Sequence, residues 1–298
     1  MHISIPIIAI WLEFFLVNSS PQPPQPSPPP SYSFIPNSKG FLPFSLFLPR
    51  IFIDHTCSEA QKILLQQAWD EAQLLAKAQT GFLEGYDYGA VHQIYLGDEW
   101  NALATSHERL ARTRSTAIFA NFNRLKMLFE GPVSTDEFIY WYCEDSDTKC
   151  RPGQISGVTS NAFESRTSAY HNAHTTIWCS EFFNIGTLKD QTDFYFESES
   201  NHTIIDNFDI NRGTIMLHEI WKYEHLVCHP RTHPEKLFIQ EDRADQIWDL
   251  ASHEGTKSAY VTADSYTMDA LAVYLQQLFS SAIPAVPRSQ APGPQAPQ

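Results

Sequence analysis

Residues 214–229 read TIMLHEIWKYEHLVCH, and the fold and function of the chain are best inferred outward from this stretch. Its apolar residues recur at steps of three and four, which predicts a helix over residues 214–227. These apolar residues are Met216, Ile220, Tyr223 and Val227. His218, Lys222 and His225 fall on the opposite side of the helix. That polar side is either a solvated face or the wall of a cleft, and the residues alone favour the solvated face.

The dipeptide His218-Glu219 is half of a metal-binding pattern. A zinc-protease helix of the HExxH type carries two histidines four residues apart, so that both imidazoles reach one metal ion and the glutamate acts as general base. Lys222 stands where the second histidine belongs, and an ammonium there removes a ligand and repels a dication. His225 lies about 10 Å further along a helix, too far to share an ion with His218.

A different metal arrangement uses a loop instead of the helix. His225, His229 and His233 are spaced by four residues, and Pro230 makes a regular helix there doubtful. These three histidines are therefore a second candidate ligand set. The dipeptide His-Glu by itself is weak support for any site, because it also occurs at His107 and His253.

The remaining pattern predicts an α+β fold, with helices first, strands in the middle and helices again. Amphipathic spacing predicts helices over 58–79, 98–112, 118–129 and 264–279. β-branched and aromatic runs predict strands over 138–143, 175–179 and 193–200. No internal repeat is present.

Five cysteines lie at positions 57, 143, 150, 179 and 228. Cys143 and Cys150 bracket the polar loop EDSDTK, a spacing that suits a local disulfide. Cys179 and Cys228 are further disulfide candidates, and in a monomer one cysteine stays unpaired. Because no CxxC pair exists, a thiolate zinc site is not expected. The sequon at Asn201 is a candidate glycosylation site and favours secretion.

Proline and charge divide the chain into segments. The apolar run at residues 3–17, with a small-residue cleavage site near Ser19 or Ser20, predicts a signal peptide at 1–20. Of the 20 prolines, 11 fall in residues 1–50 and 5 in 284–298, which predicts a Pro-rich spacer or pro-segment at 21–50 and a disordered tail at 284–298. The domain, residues 51–283, carries 33 acidic and 17 basic residues. This negative charge disfavours nucleic-acid partners and anionic membranes, and the N-terminal apolar run is too short for stable membrane insertion.

Five segments in the same order resemble the secreted fungal deuterolysin-like metallopeptidases, a family that includes the lysine-specific metallo-endopeptidase domain. The segments are CSEAQKILLQQAWDEAQLLA (57–76), YCEDSDTKC (142–150), TTIWCSEFFN (175–184), TIMLHEI (214–220) and TADSYTMDALAVYLQQLF (262–279). They cover nearly the whole domain. The resemblance implies a zincin-like α+β fold with a helical N-terminal half, a small mixed sheet and a site helix.

The same resemblance implies a Zn²⁺ site. His218 matches the first zinc ligand and Glu219 the general base, whereas Lys222 departs from the family pattern. The family's third ligand is a downstream aspartate, and a family tyrosine helps to polarise the scissile carbonyl. The candidates for these two roles are Asp242 and Asp245, then Asp249, for the ligand, and Tyr266 or Tyr260 for the tyrosine.

Two functions of different class follow from these residues. The first is a secreted zinc endopeptidase acting on a peptide or protein substrate, with lysine as a preferred side chain. The second is a catalytically inactive homologue that binds a partner, in which Lys222 pairs with Glu219 or with a downstream aspartate. The zincin-like fold that the resemblance implies leads us to expect that an extended substrate adds as a strand along a sheet edge, for which residues 174–179 are one candidate. A carbohydrate-binding or structural module is a third hypothesis, which rests on the seven tryptophans. The sequence does not predict an oligomeric state.

Overall fold

The computed structural model describes residues 42–43, 50–86, 88–130, 137–145, 149–151, 156–162, 172–224, 226–227 and 243–291. The predicted signal peptide, most of the spacer, Asp242, Cys228 and the loop histidines His225, His229 and His233 lie outside these residues. The strands are β1 (Leu42–Pro43), β2 (Arg50–Ile53), β3 (Glu137–Tyr142), β4 (Gly157–Ala162) and β5 (Asn172–Trp178). The helices are α1 (Glu59–Thr80), α2 (Gly89–Leu96), α3 (Ala102–Thr105), α4 (Arg109–Glu130), α5 (Leu188–Tyr195), α6 (Arg212–Ile220), α7 (Arg243–Asp249), α8 (Thr256–Ala259) and α9 (Ala263–Leu278).

The strands form one mixed sheet in the order β1-β2-β3-β5-β4. Strands β2, β3 and β5 are parallel, whereas β1 and β4 run antiparallel to their neighbours. The β2–β3 pair is joined through α1 to α4, so the helical N-terminal half is a long crossover within the sheet. The α+β class predicted from the sequence is confirmed.

A row of buried aromatic rings joins the helices to one face of the sheet. Trp141 of β3 lies 5.7 Å, between ring centroids, from Trp69 of α1 and 5.8 Å from Trp178 of β5. Trp178 in turn packs 4.5 Å from Phe182. Burying side chains of this size provides a large part of the apolar stabilisation of a core. Helices α6 and α9 both pack against α1, which brings the predicted site helix into the centre of the molecule.

Several predicted elements are confirmed and others need correction. Strands were expected over 138–143 and 175–179 and helices over 58–79, 118–129 and 264–279; all are present, although α4 begins earlier, at Arg109. The strand predicted over 193–200 is wrong. Its first residues complete helix α5, which Thr187 caps by accepting a hydrogen bond from the Asp190 backbone N–H at 2.9 Å. The helix predicted over 98–112 is two pieces, α3 and the start of α4.

The local disulfide predicted between Cys143 and Cys150 is also wrong. Cys57 pairs with Cys143 and Cys150 with Cys179. Both bonds lie at the carboxyl ends of the parallel strands: Cys143 follows β3 and Cys179 follows β5. The parallel sheet brings these strand ends together. The spacing of two cysteines along the sequence contains no information on which strand ends are neighbours in the fold. Two disulfides are compatible with a secreted protein.

The chain continues on the domain beyond the boundary predicted at residue 283. Ala285 is buried, and its carbonyl accepts a hydrogen bond from the Tyr95 hydroxyl at 2.9 Å. Arg288 donates its backbone N–H to Asp206 at 2.7 Å. Residues 284–291 are therefore part of the domain and not of a disordered tail. Within the residues that the structure describes, no helix is long and apolar enough to cross a membrane.

Candidate functional site in a buried ion-pair cluster

Helix α6 begins at a reciprocal cap and is buried along its whole length. The Asn211 side chain accepts a hydrogen bond from the Thr214 N–H at 2.9 Å, and the Thr214 hydroxyl accepts one from the Asn211 N–H at 3.3 Å. Gly213 allows α1 to approach closely, because a Cβ at this position would lie 2.6 Å from the Cβ of Glu71. His218 and Lys222, which the sequence placed on a solvated face, therefore lie inside the protein.

The helix ends at Ile220, earlier than the predicted end near Val227. Asn161 of the edge strand β4 takes over the backbone groups that a longer helix would have used. Its amide donates to the Lys222 carbonyl at 3.0 Å, and its carbonyl oxygen accepts the Glu224 N–H at 3.2 Å. The chain turns away from the helix axis at this point because these hydrogen bonds replace the helical ones.

Glu219 and Lys222 form a buried ion pair at the end of α6. The Lys222 ammonium lies 2.8 Å from Glu219 Oε1, and Thr159 of β4 donates its hydroxyl to Glu219 Oε2 at 2.7 Å. Both residues of the pair are buried, Glu219 completely. The solvated-face interpretation of this side of the helix is therefore wrong, whereas the hypothesis that Lys222 pairs with Glu219 is confirmed.

A chain of hydroxyl groups extends from Glu219 into the sheet. Thr159 Oγ1 lies 2.9 Å from Thr176 Oγ1, which lies 2.9 Å from the Tyr223 hydroxyl. The Trp141 indole donates to the same Tyr223 hydroxyl at 3.1 Å. Burial raises the pKa of Tyr223, so this hydroxyl remains protonated at neutral pH. Through Thr159 this chain of hydroxyl groups holds Glu219 Oε2, whereas Lys222 contacts Oε1.

His218 faces a second buried pair, formed by Asp264 and Arg243. His218 Nδ1 lies 2.9 Å from Asp264 Oδ1, and Arg243 Nε donates to the same oxygen at 2.8 Å. Burial alone would raise the pKa of Asp264, but the Arg243 guanidinium and His218 hold it well below its usual range. Burial lowers the pKa of His218, and although Asp264 opposes this shift, the imidazole is neutral at pH 7.

Neither Asp264 nor Arg243 is among the site residues predicted from the sequence. Asp264 belongs to the Ala-Asp-Ser-Tyr segment that carries part of the family resemblance, and it lies in the first turn of α9. The resemblance of this segment was the only sequence feature that could have pointed to Asp264. An acidic residue in the first turn of a helix is otherwise explained by the helix dipole and does not by itself indicate a site. Arg243 begins α7, where the sequence offered only the neighbouring aspartates.

The other predicted site residues lie elsewhere. Asp245 accepts a hydrogen bond from the Ser289 hydroxyl, and Asp249 is exposed beside His253. The Tyr266 hydroxyl donates to the Tyr260 carbonyl at 2.9 Å and accepts from the Asn121 amide at 3.0 Å. Its ring stacks 4.3 Å from that of Trp221. These contacts give Tyr266 a packing role in the core.

The described residues do not fit a zinc ion. His218 Nε2 is a buried nitrogen with no hydrogen-bond partner in the described part of the chain, and such an atom would suit a metal. However, the carboxylate 3.9 Å away, Glu219, is already neutralised by Lys222. Arg243 similarly occupies Asp264. No group of three or more metal-ligating side chains occurs among the described residues.

No protein-family model matches this chain, and no curated protein matches it either. Its function is therefore inferred from the residues and contacts described above.

Proposed function

We propose that this chain is a catalytically inactive homologue of the deuterolysin-like metallopeptidases that acts as a secreted binding protein. In this proposal the domain keeps a zincin-like architecture and binds a peptide or protein partner without cleaving it. The alternative is an active zinc endopeptidase, for which the adjacent His218 and Glu219 are the favourable observation.

The Lys222–Glu219 ion pair carries the proposal. A general base must be free to take a proton from the attacking water, and a metal ligand must offer a lone pair. Glu219 uses one oxygen for the Lys222 ammonium and the other for the Thr159 hydroxyl. The Lys222 ammonium lies 2.8 Å from Glu219 Oε1, and the same oxygen lies 3.9 Å from His218 Nε2, the atom that would have to bind the metal. The same residues that disable the base thus also disfavour a dication.

The position of β4 supports the binding part of the proposal. Within the described sheet β4 is an edge strand, antiparallel to β5, and its Thr159 and Asn161 side chains contact the end of α6. An exposed strand edge can accept an extended peptide through backbone hydrogen bonds. The candidate edge at 174–179 belongs to β5, which has β3 and β4 on its two sides, so β4 replaces it as the docking strand.

Zinc content and chelator response test the proposal directly. We expect the purified protein to contain less than about a tenth of an equivalent of zinc, because an ammonium and a carboxylate already satisfy each other at the site. We also expect no cleavage of casein or of a lysine-containing peptide, and an unchanged melting temperature after chelation. Elemental analysis, a protease assay and thermal unfolding measure these three quantities.

Lys222→His is the variant that we expect to gain zinc binding relative to the unaltered protein. Replacing the ammonium by an imidazole removes the repulsion and adds a ligand, so we expect zinc affinity to rise at least about tenfold. Lys257→His, which adds a histidine at an exposed lysine, should leave the affinity unchanged, and His218→Ala combined with Lys222→His should lose the gain. Near-stoichiometric zinc in the unaltered protein, lost in His218→Ala and accompanied by chelator-sensitive proteolysis, would establish the active enzyme instead.

A further inference from the structure

Two phenylalanines near the end of α5 are exposed to an unusual degree. Phe194 is 78% exposed and Phe196 is 57% exposed, and both lie in residues 193–200, for which the sequence predicted a strand. Large apolar side chains exposed close together commonly mark a protein interaction site. Neither residue contacts the ion-pair cluster, so the function considered above gives no reason for their exposure.

The two rings belong to one connected aromatic cluster, which we call the aromatic ridge. Centroid distances follow from Phe194 to Tyr195 (4.8 Å), from Tyr195 to Phe208 (5.3 Å), from Phe208 to Phe279 (5.8 Å) and from Phe279 to Phe196 (6.4 Å). Phe208 is completely buried and anchors the ridge in the core. The exposed rings are therefore presented by a packed base.

His202 holds the backbone beneath the ridge in place. Its ring stacks on Phe279 with a centroid distance of 3.7 Å and an interplanar angle of 7°. Its Nε2 lies 3.0 Å from the carbonyl oxygens of both Tyr195 and Phe196. A surface fixed in this way loses little conformational entropy when a partner binds, which favours affinity.

The charge around the ridge is predominantly negative. Residues 190–211 include six acidic residues and no lysine or arginine, and residues 258–287 also lack lysine and arginine. Some of these carboxylates are occupied: Asp190 caps α5 and Asp193 pairs with Lys189. Glu197 and Glu199 are exposed and have no side-chain partner in the described part of the protein. They lie beside the exposed rings and leave negative charge available to a ligand.

We propose that the aromatic ridge docks a basic amphipathic segment of a protein partner. Apolar side chains of that segment would cover Phe194 and Phe196, and its lysines or arginines would face Glu197 and Glu199. A second copy of this chain is a poorer occupant, since it would bring the same carboxylates together. Anionic lipid is disfavoured for the same reason. The proposal goes beyond the function proposed above and does not depend on whether Lys222 excludes zinc.

Binding of a helical peptide of about 14 residues built from leucine and lysine tests the proposal, with a leucine–glutamate peptide as its charge control. By fluorescence anisotropy on the full chain, we expect the basic peptide to bind. The double variant Phe194→Ser/Phe196→Ser should weaken binding at least about tenfold. Glu197→Gln/Glu199→Gln should weaken it about threefold and reduce its dependence on salt. Leu110→Ser, at a leucine that is 60% exposed on α4, is the matched control and should bind as the unaltered protein does.

Four results would overturn the proposal. They are equal affinity for the basic and acidic peptides, equal affinity of the Phe194→Ser/Phe196→Ser variant and the unaltered protein, an equal loss in Leu110→Ser, and no measurable binding by the unaltered protein. A dimer that the Phe194→Ser/Phe196→Ser variant converts to a monomer in sedimentation would assign the ridge to a second copy and overturn it as well. Because both phenylalanines are exposed, their replacement should leave the melting temperature unchanged, so lost binding is not explained by unfolding.

Discussion

Replacing Lys222 by methionine should destabilise the protein by about 3–5 kcal/mol. Methionine keeps most of the volume of the side chain but removes the ammonium 2.8 Å from Glu219 Oε1. The carboxylate of Glu219 then remains completely buried, with the Thr159 hydroxyl as its neighbouring donor. Removing one member of a buried ion pair is costly because the desolvated charge of the other member has no compensation. Urea unfolding followed by far-UV circular dichroism measures the loss.

The double variant Glu219→Gln/Lys222→Met separates the pair from its surroundings. With both charges gone and an amide still able to accept the Thr159 hydrogen bond, most of the lost stability should return. Glu219→Gln alone should be destabilising too, since it leaves the ammonium unpaired. The three variants form a double-mutant cycle whose coupling free energy isolates the ion pair. A loss below about 0.5 kcal/mol in Lys222→Met would mean that the pair is solvated in solution.

This result bears on function because a stable pair resists being replaced by a metal. A divalent ion could enter only by displacing Lys222 from Glu219 or by binding without that carboxylate. The larger the measured coupling, the more stability a metal would have to offset. Stability and zinc measurements on the Lys222 variants therefore test the same explanation, in which the Lys222 ammonium neutralises Glu219 in place of a metal cation.

The sequence predicted which residues of α6 matter better than it predicted their surroundings. His218, Glu219 and Lys222 are close in the chain, and their spacing on a helix is enough to place them together. Their burial could not be read from the pattern, because α9 and β4 meet His218 and Glu219 on the side of the helix that carries no apolar stripe. Asn161, which ends the helix, lies on β4 and acts from a distant part of the sequence. The helix was therefore predicted too long.

Contacts between residues that are distant in the sequence explain the other differences between the predictions and the structure. Asp264 meets His218 only because α9 packs against α6, and Arg243 reaches Asp264 from α7, which packs against α9. Sequence spacing carries no information on such contacts. The disulfide prediction failed for the same reason: Cys57 and Cys143 are 86 residues apart but lie at neighbouring strand ends. In contrast, the amphipathic helices α1 and α9 and the strands β3 and β5 were predicted correctly, because their periodicity is local.

Replacing Asp209 by asparagine should stabilise the protein increasingly as the pH rises from 4 to 8. Burial raises the pKa of Asp209 from 3.8 to about 7, and the nearby Arg243 only partly opposes this shift. Between these two values the carboxyl is protonated in the folded protein and ionised in the unfolded chain, so unfolding releases a proton. The stability that the neutral carboxyl allows is thus present at low pH and lost as the pH rises through about 7.

The expected size follows from the shift, since about three pKa units correspond to about 4 kcal/mol. The difference in unfolding free energy between Asp209→Asn and the unaltered protein should grow by that amount between pH 4 and pH 8 and then level off. Asp190→Asn is the control, and we expect its effect on the unfolding free energy to have the opposite sign. Hydrogen bonds from Thr187 lower the pKa of Asp190, so the ionised carboxylate stabilises the folded protein at neutral pH and asparagine removes that stabilisation. A pH-independent difference for Asp209→Asn would show that the Asp209 carboxyl is hydrated or fully compensated by Arg243. The buried charges around Asp264 would then be less isolated from solvent than their contacts indicate.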